Sequence, residues 1–422
     1  MTALTMRAFC ALLTATWLSW TLCVGATARA CAQERPLEPR TSVVLEHDKD
    51  LVNDTKNGVW PFRWSPDSSR IAYVKWRAGQ VGIVDVKSGN IIDIPDLKMR
   101  AITTLTWSLD GKLLAISSAE EVKVVRLRDL RVINSLTISQ LRGPSVRFGA
   151  VVAFSEDAQH ILFQNPNPHG SHLFYKLDLR ANTLAPLGDA PYTGRNAYAV
   201  LDSGRFQWHA GHLYYSVMIT RGDEIVRESI VVGQVDYGHS LFPRSCFVFD
   251  LGKGLSLAGS RSLDFPRTGV KMDASEEIFD CRFSAASDTV VVRRAELLSL
   301  ERRKAGEAGK DFFDAFRFGA NASGTRIPDT SSPEAGAFSR RYELYSPESL
   351  MVTIASLPSR RQMLTVWDFK SGRALGRTEP QEMLSNFQIS PDGSRVGFAN
   401  RGDKIVVYKL ARPRDGFGKE AK

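Results

Sequence analysis

Apolar and polar side chains alternate in short runs along most of the chain, and nearly every run is bounded by a turn-forming cluster. Phe62-Arg63-Trp64 enters Ser65-Pro66-Asp67 and emerges as Ile71-Ala72-Tyr73-Val74. Leu105-Thr106-Trp107 enters Ser108-Leu109-Asp110-Gly111 and emerges as Leu113-Leu114-Ala115-Ile116. Alternation of this kind places every second side chain on one face, which is the period of a half-buried strand. Five more copies follow. Ala153-Phe154-Ser155-Glu156-Asp157 leads to Ile161, Phe206-Gln207-Trp208-His209-Ala210-Gly211 to Leu213, and Arg282-Phe283-Ser284 to Val290. Leu344-Tyr345-Ser346-Pro347-Glu348 leads to Leu350, and Phe387-Gln388-Ile389-Ser390-Pro391-Asp392-Gly393 to Val396.

The turn has a physical logic: proline presets its own φ, aspartate hydrogen-bonds the local backbone and glycine accepts positive φ. A second signature closes most copies, an apolar strand ending in Asp before a turn. Examples are Val81 to Asp85 before Ser88-Gly89, Leu173 to Asp178, Phe247 to Asp250, and Leu364 to Asp368 before Ser371-Gly372. The anchors Trp64, Trp107, Phe154, Trp208, Phe283, Tyr345 and Ile389 fall 43, 47, 54, 75, 62 and 44 residues apart. A four-stranded propeller blade takes about 40 to 45 residues. The pattern therefore predicts an all-β chain, a single seven-bladed β-propeller over residues 41–411. The last copy supplies three strands, near Ile389, at Arg395 to Ala399 and at Lys404 to Leu410. Thr41 to Glu46 is expected to add the missing fourth strand and close the ring, which leaves no long open edge.

The Ser-Pro-Asp turns of the first and last copies, completed by Gly393 in the latter, resemble those of TolB-like propellers. Trp367-Asp368 resembles the dipeptide of WD-repeat propellers. The resemblance covers residues 41–411 and implies a propeller fold. Copies four and five depart from it, with His209-Ala210-Gly211 and Ala285-Ala286-Ser287 in place of the Pro-Asp core. Only Gln33 to Arg40 precedes the first strand, so the amino-terminal domain of true TolB proteins has no counterpart and no role in the Tol system is carried over.

Residues 1–32 read differently. Arg7 is followed by the uncharged, mostly apolar stretch Ala8 to Val24, then by small residues up to Ala32. That is the layout of a secretory signal peptide, with cleavage after Ala30 or Ala32. The apolar stretch is shorter than the roughly 20 residues of a spanning helix. An uncleaved anchor and lipid attachment at Cys31 are the alternatives. Residues 33–40 form a short linker and 412–422 a polar, flexible tail. The expected setting is a bacterial periplasm or the exterior, with no transmembrane span left after cleavage. Asn53-Asp54-Thr55 and Asn321-Ala322-Ser323 fit the glycosylation acceptor pattern but are discounted for a bacterial source.

Composition adds limits. The chain has 422 residues, 43% hydrophobic and 24% charged, with five cysteines. These values exclude a disordered chain, a collagen and a disulfide-dense scaffold. Cleavage would remove Arg7 and Arg29 and lower the formal charge from +9 to +7. Cleavage after Ala32 would leave Cys246 and Cys281 as a pair on neighbouring blades, either bridged or as two buried thiols. Basic residues gather loosely at Arg293-Arg294, Arg302-Arg303-Lys304, Arg340-Arg341 and Arg360-Arg361. An anionic envelope surface or an acidic protein would be drawn to such charge; a solvated face accounts for it equally. No aromatic-basic groove for nucleic acid is visible.

The chain carries no nucleophile elbow, phosphate loop, His-Glu-x-x-His, Cys-x-x-Cys or dinucleotide fingerprint. No catalytic, cofactor or metal residue is assigned. Gly252, Gly254 and Gly259 read as turn glycines. His169/His172 and His209/His212 are spaced as zinc ligands can be, but no carboxylate stands at a telling spacing. Asp67, Asp110, Asp157 and Asp392 recur in the turns and read as structural. The expected function is an exported, non-enzymatic module that binds another protein or an envelope component, as a monomeric ring. An enzyme or a small-solute binder with its site in the central funnel is the alternative. The surplus length of copies four and five falls between Thr220 and Ser245 and at Ala295 to Phe318, the latter expected to be part-helical. Insertions in repeat folds map to one face, so that face is the expected working surface.

Overall fold

Each alternating run is a strand, and within the sheets most strands pair antiparallel with a neighbour along the chain, Val44–Asn53 and Ala197–Ala199 being exceptions. The computed structural model describes residues 44–54, 56–95, 97–118, 120–137, 150–164, 174–187, 197–199, 205–221, 244–252, 259–264, 276–296, 311–318, 325–327, 341–356, 361–378, 384–400 and 404–411. The expected signal peptide, linker and tail lie outside them, as do His169, His172, Gly254, Asn321 and most of both insertions.

After β1 (Val44–Asn53) come seven sheets among the described residues, numbered here as blades one to seven in chain order. Blade one is β2 (Val59–Trp64), β3 (Arg70–Lys75), β4 (Gln80–Asp85) and β5 (Ile91–Asp93). Blade two is β6 (Ile102–Trp107), β7 (Leu113–Ser118), β8 (Glu121–Arg126) and β9 (Arg131–Thr137). Blade three is β10 (Ala150–Phe154), β11 (His160–Gln164), β12 (Phe174–Asp178) and β13 (Thr183–Pro186). Blade four contains β14 (Ala197–Ala199), β15 (Arg205–His209), β16 (His212–Arg221), β17 (Arg244–Asp250) and β18 (Gly259–Asp264). Blade five is β19 (Glu276–Ser284), β20 (Thr289–Glu296), β21 (Asp311–Arg317) and β22 (Thr325–Ile327). Blade six is β23 (Arg341–Tyr345), β24 (Leu350–Ser356), β25 (Gln362–Asp368) and β26 (Arg373–Arg377). Blade seven joins β27 (Leu384–Ile389), β28 (Arg395–Asn400) and β29 (Lys404–Ala411) to β1.

The amino-terminal strand thus closes the last blade, as expected, but over a different span. It starts at Val44 and runs to Asn53, pairing with Ala411 back to Lys404 through two register shifts. Its far end is apolar, with Leu51 and Val52 buried, which extends pairing past the expected stop at Glu46. Thr41 to Val43 lie outside the described residues. Blade four departs from the others at its inner edge. The ten-residue β16 pairs with β15 through Ser216 and with β14 from Ile219 to Arg221, so one inner strand is replaced by two shorter ones. Copy five was expected to be part-helical toward its end, yet Phe312, Phe313 and Phe316 sit in β21. Pairing of β21 with β20 from Thr289 to Ala295 satisfies its backbone, and Phe313 and Phe316 are buried.

The cores lie between blades. Trp64, Ile71 and Tyr73 of blade one pack with Ala399, Ile405 and Val407 of blade seven. The other face of blade one packs on blade two through Val74, Ile83, Leu105, Leu114 and Ile116. Blades two and three, four and five, five and six, and six and seven share comparable clusters. Phe174 and Tyr215 meet edge-on, 5.1 Å between centroids, across blades three and four. Each fully buried aliphatic or phenyl side chain contributes about 1.5–3 kcal/mol. Strands buried on both faces explain burial runs such as the four central residues of β3 and β4.

Candidate functional site

Antiparallel order sorts the connections between two ends of the ring. One end carries the turns between first and second strands and between third and fourth strands. The other carries the second-to-third turns and the crossings to the next blade.

At the first end the repeated turn is a closed hydrogen-bond unit. Ser65 Oγ donates to Asp67 Oδ1 at 2.5 Å and accepts from the Arg70 amide at 2.9 Å, while Asp67 Oδ1 accepts from the Ser69 amide at 3.1 Å. The same three bonds recur at Ser108/Asp110, Ser155/Asp157 and Ser390/Asp392. Burial pushes Asp67, Asp110 and Asp392 upward, but the serine and backbone donors outweigh it and leave their carboxyls below the ordinary value. At Asp157 the Ser155 hydroxyl is the leading cause of the same lowering. Carboxylates held ionised by a local hydroxyl and a backbone amide are turn supports, not proton carriers. Copy five replaces the unit with a Ser284–Ser287 hydroxyl contact at 2.6 Å. Gly252 is also a turn residue, at φ 59° with its amide on Asp250.

The inner strands reveal a polar row that sequence reasoning missed. It occupies the position before five of the anchors, and its signal was the recurrence of Arg63, Thr106, Gln207, Arg282 and Gln388 there, with Glu343 two before Tyr345 and Ala153 interrupting the row. Several of these side chains reach the next blade. Gln388 Nε2 donates to the Phe62 carbonyl at 2.9 Å, and Gln207 Oε1 accepts from the Ala285 amide at 3.0 Å. Arg282 pairs with Glu343 at 2.8 Å and lies over the Tyr342 ring at 4.4 Å. The anchors add straps of their own: Trp64 Nε1 donates to the Gln388 carbonyl and Trp107 Nε1 to the Arg63 carbonyl.

Three sequence expectations change on this ground. Arg294 was grouped with surface charge, yet it is buried and ion-paired with Asp314, each side chain 4% exposed. A buried charge persists only when paired, and β20 and β21 place these two diagonally. His212 was read as a turn histidine without a carboxylate; its Nδ1 lies 3.0 Å from Asp250 Oδ1, a residue 38 positions away brought in by β17. His209 is exposed, and among the described residues no three His, Cys, Asp or Glu side chains gather as metal ligands. Cys246 and Cys281, left open between bridge and thiols, form a buried disulfide with Cα atoms 6.1 Å apart.

At the second end, a cleft of about 410 Å³ opens between blades one and two, lined by Ala78, Lys98, Met99, Arg100, Ser118, Glu120 and Glu121. Its walls are set by backbone contacts. The Met99 amide donates to the Gly79 carbonyl at 3.1 Å. Ser118 Oγ accepts from the amides of Glu120 and Glu121. Lys123 pairs with Glu121 at 3.4 Å and donates to the Lys98 carbonyl. Trp76 stands 59% exposed on the turn that contributes Ala78. Ser118 Oγ is engaged in its own turn, and the cleft offers charge from Lys98, Arg100, Glu120 and Glu121 beside apolar contact from Ala78 and Met99. The strands flanking the two insertions, β16 and β17 and then β20 and β21, end at this same end of the ring. Residues 222–243 and 297–310 themselves lie outside the described residues.

Fold and seams together define a β-propeller. No family model matches the chain, and no curated protein matches it. The solved structures similar in fold include two propeller-containing proteins. The first is Kuenenia stuttgartiensis hydrazine synthase, 13% identical over 86% of this chain and 98% of that one, with a TM-score of 0.54. The second is the Myceliophteria thermophila Cps50 (Swd1) β-propeller domain, 10% identical over 86% of this chain and 99% of that one, with a TM-score of 0.53.

Proposed function

We propose that this chain is an exported, non-enzymatic β-propeller that binds another protein or an envelope component through the end of the ring bearing the long connections. The observation that carries the reading is the asymmetry between the two ends. One end spends its serines and aspartates on closing turns. The other presents the blade-one/blade-two cleft with Trp76, Lys98, Arg100 and Glu120, and it is the end of the sheets at which the strands flanking both insertions stop. Gln207, Arg282, Glu343 and Gln388 of the inner strands are engaged in seams, which speaks against a site assembled from them in the funnel. Long connections on a rigid scaffold are where binding residues concentrate.

The test compares the processed chain with a variant lacking residues 222–243, both immobilised and exposed to envelope extract. The deletion should leave the far-ultraviolet spectrum of the ring intact and abolish capture of the retained protein. Nothing retained above background by the intact chain, or equal capture by the folded deletion, overturns the reading.

A further inference from the structure

Among the described residues the exposed large apolar side chains are Trp76, Ile91, Ile92, Leu109, Val132 and Ile133. All belong to blades one and two. Four of them lie on the outermost strands β5 and β9, whose outer edges end their sheets. Such edges invite pairing unless proline or charge discourages it. Other outer strands carry those devices: β13 ends in Pro186, β26 begins and ends with exposed Arg373 and Arg377, and β1 exposes His47 and Asp50. β9 also begins with an exposed arginine, Arg131, but beside it Val132 is 39% and Ile133 45% exposed, with Ser135 exposed further along. Asn134 is braced to blade three, its Nδ2 donating to the Leu179 carbonyl at 3.1 Å. The opening of the strand is therefore at Arg131 to Ile133.

Charge selects the occupant. The turn into β9 holds Arg126, Arg128 and Asp129. Asp129 is engaged by Arg126 at 2.7 Å, which holds its carboxyl down at about 2. Arg128 and Arg131 add exposed positive charge at that end of the strand. The register against β8 shifts here, Val125 facing Val132 and Val124 facing Asn134, so Ile133 is the extra residue of a bulge and stands exposed beside Arg131 and Val132. We propose that β9 is a docking edge: an extended segment of a partner protein, an apolar pair flanked by acids, adds as a further strand to blade two. Its main chain bonds the open edge, its apolar pair flanks Val132 and Ile133, and its carboxylates meet Arg128 and Arg131. This surface is on the outer wall, apart from the end assigned above, and stands independently of that assignment.

The test uses two labelled peptides, Thr-Thr-Glu-Val-Val-Glu-Thr-Thr and its counterpart with lysine for glutamate, measured by fluorescence anisotropy at low salt. The acidic peptide should bind about tenfold more tightly, on the strength of opposite-charge cross-strand pairs. It should slow amide exchange in β9 but not in β26. Arg131→Glu should reverse the preference, Ile133→Asp should abolish binding, and the 222–243 deletion should bind as the intact chain does. Equal binding of both peptides, protection outside β9, or binding lost only in the deletion overturns the proposal. So does sedimentation showing a dimer that Ile133→Asp dissolves, because the edge then belongs to a second copy.

Discussion

The seam beside blade one and the seam between blades four and five hold neighbouring blades together with different chemistry. On either side of blade one the anchors are tryptophans, and each indole N–H reaches an inner-strand carbonyl of the preceding blade, at 3.3 Å from Trp64 and 3.1 Å from Trp107. Blade five has Phe283 at the anchor, which packs but cannot donate. There the Cys246–Cys281 bridge, the Gln207 amide and the Ser216 hydroxyl, which accepts from the Phe283 amide at 3.2 Å, span the seam. The difference teaches that seams of one ring can be tied by unlike bonds, indole donors beside blade one and a disulfide with side-chain acceptors between blades four and five. Where the turn and anchor depart from the repeat, a covalent tie stands in.

The largest effect should come from breaking the covalent seam. Cys246→Ala/Cys281→Ala removes a bridge across a separation of 35 residues, for a loss of about 3–4 kcal/mol. Denaturant titration of the oxidised and double-mutant proteins measures it, and a difference below about 1 kcal/mol would mean the packing of blades four and five suffices alone. Next is a pair at one turn position. Gly393 and Gly111 have φ 69° and 67°, where alanine costs about 1–2 kcal/mol. A Cβ on Gly393 would stand 2.3 Å from Tyr345 Cε1 in blade six, whereas on Gly111 its nearest neighbour is Arg70 Nη2 at 3.8 Å. Gly393→Ala should thus cost at least twice what Gly111→Ala does, read as the gap between their melting midpoints. Equal losses would show that the blade-six/blade-seven seam yields to the added methyl. The smallest effect is expected for Trp107→Phe, which gives blade two the anchor natural to blade five. Loss of one hydrogen bond and weakening of the Arg70 cation–π contact at 5.3 Å, a phenyl face attracting the guanidinium less than indole does, amount to about 1–2 kcal/mol. A double-mutant cycle with Arg70→Ala separates the two.

Much of the ring was legible because its information is local. Ser65-Pro66-Asp67 and its relatives bond within five residues, so the turn, the strands on either side and the structural role of the aspartates follow from the run itself. The periodic anchors likewise announce repeated blades, and the spacing of Cys246 and Cys281 placed them in adjoining ones.

What the sequence by itself determined is therefore the strand order, the repeated turn and the need for a strand from the amino terminus to complete the last blade, since each depends on neighbours along the chain. The tertiary structure decided what depends on partners far apart: β1 running to Asn53, Phe313 in a strand rather than a helix, the bridge in place of two thiols, Arg294 buried against Asp314, and His212 beside Asp250. It also decided which apolar residues stay exposed on the outer strands. Alternation assigns a side chain to a face of its sheet, but only the packing of blades determines whether another surface covers that face.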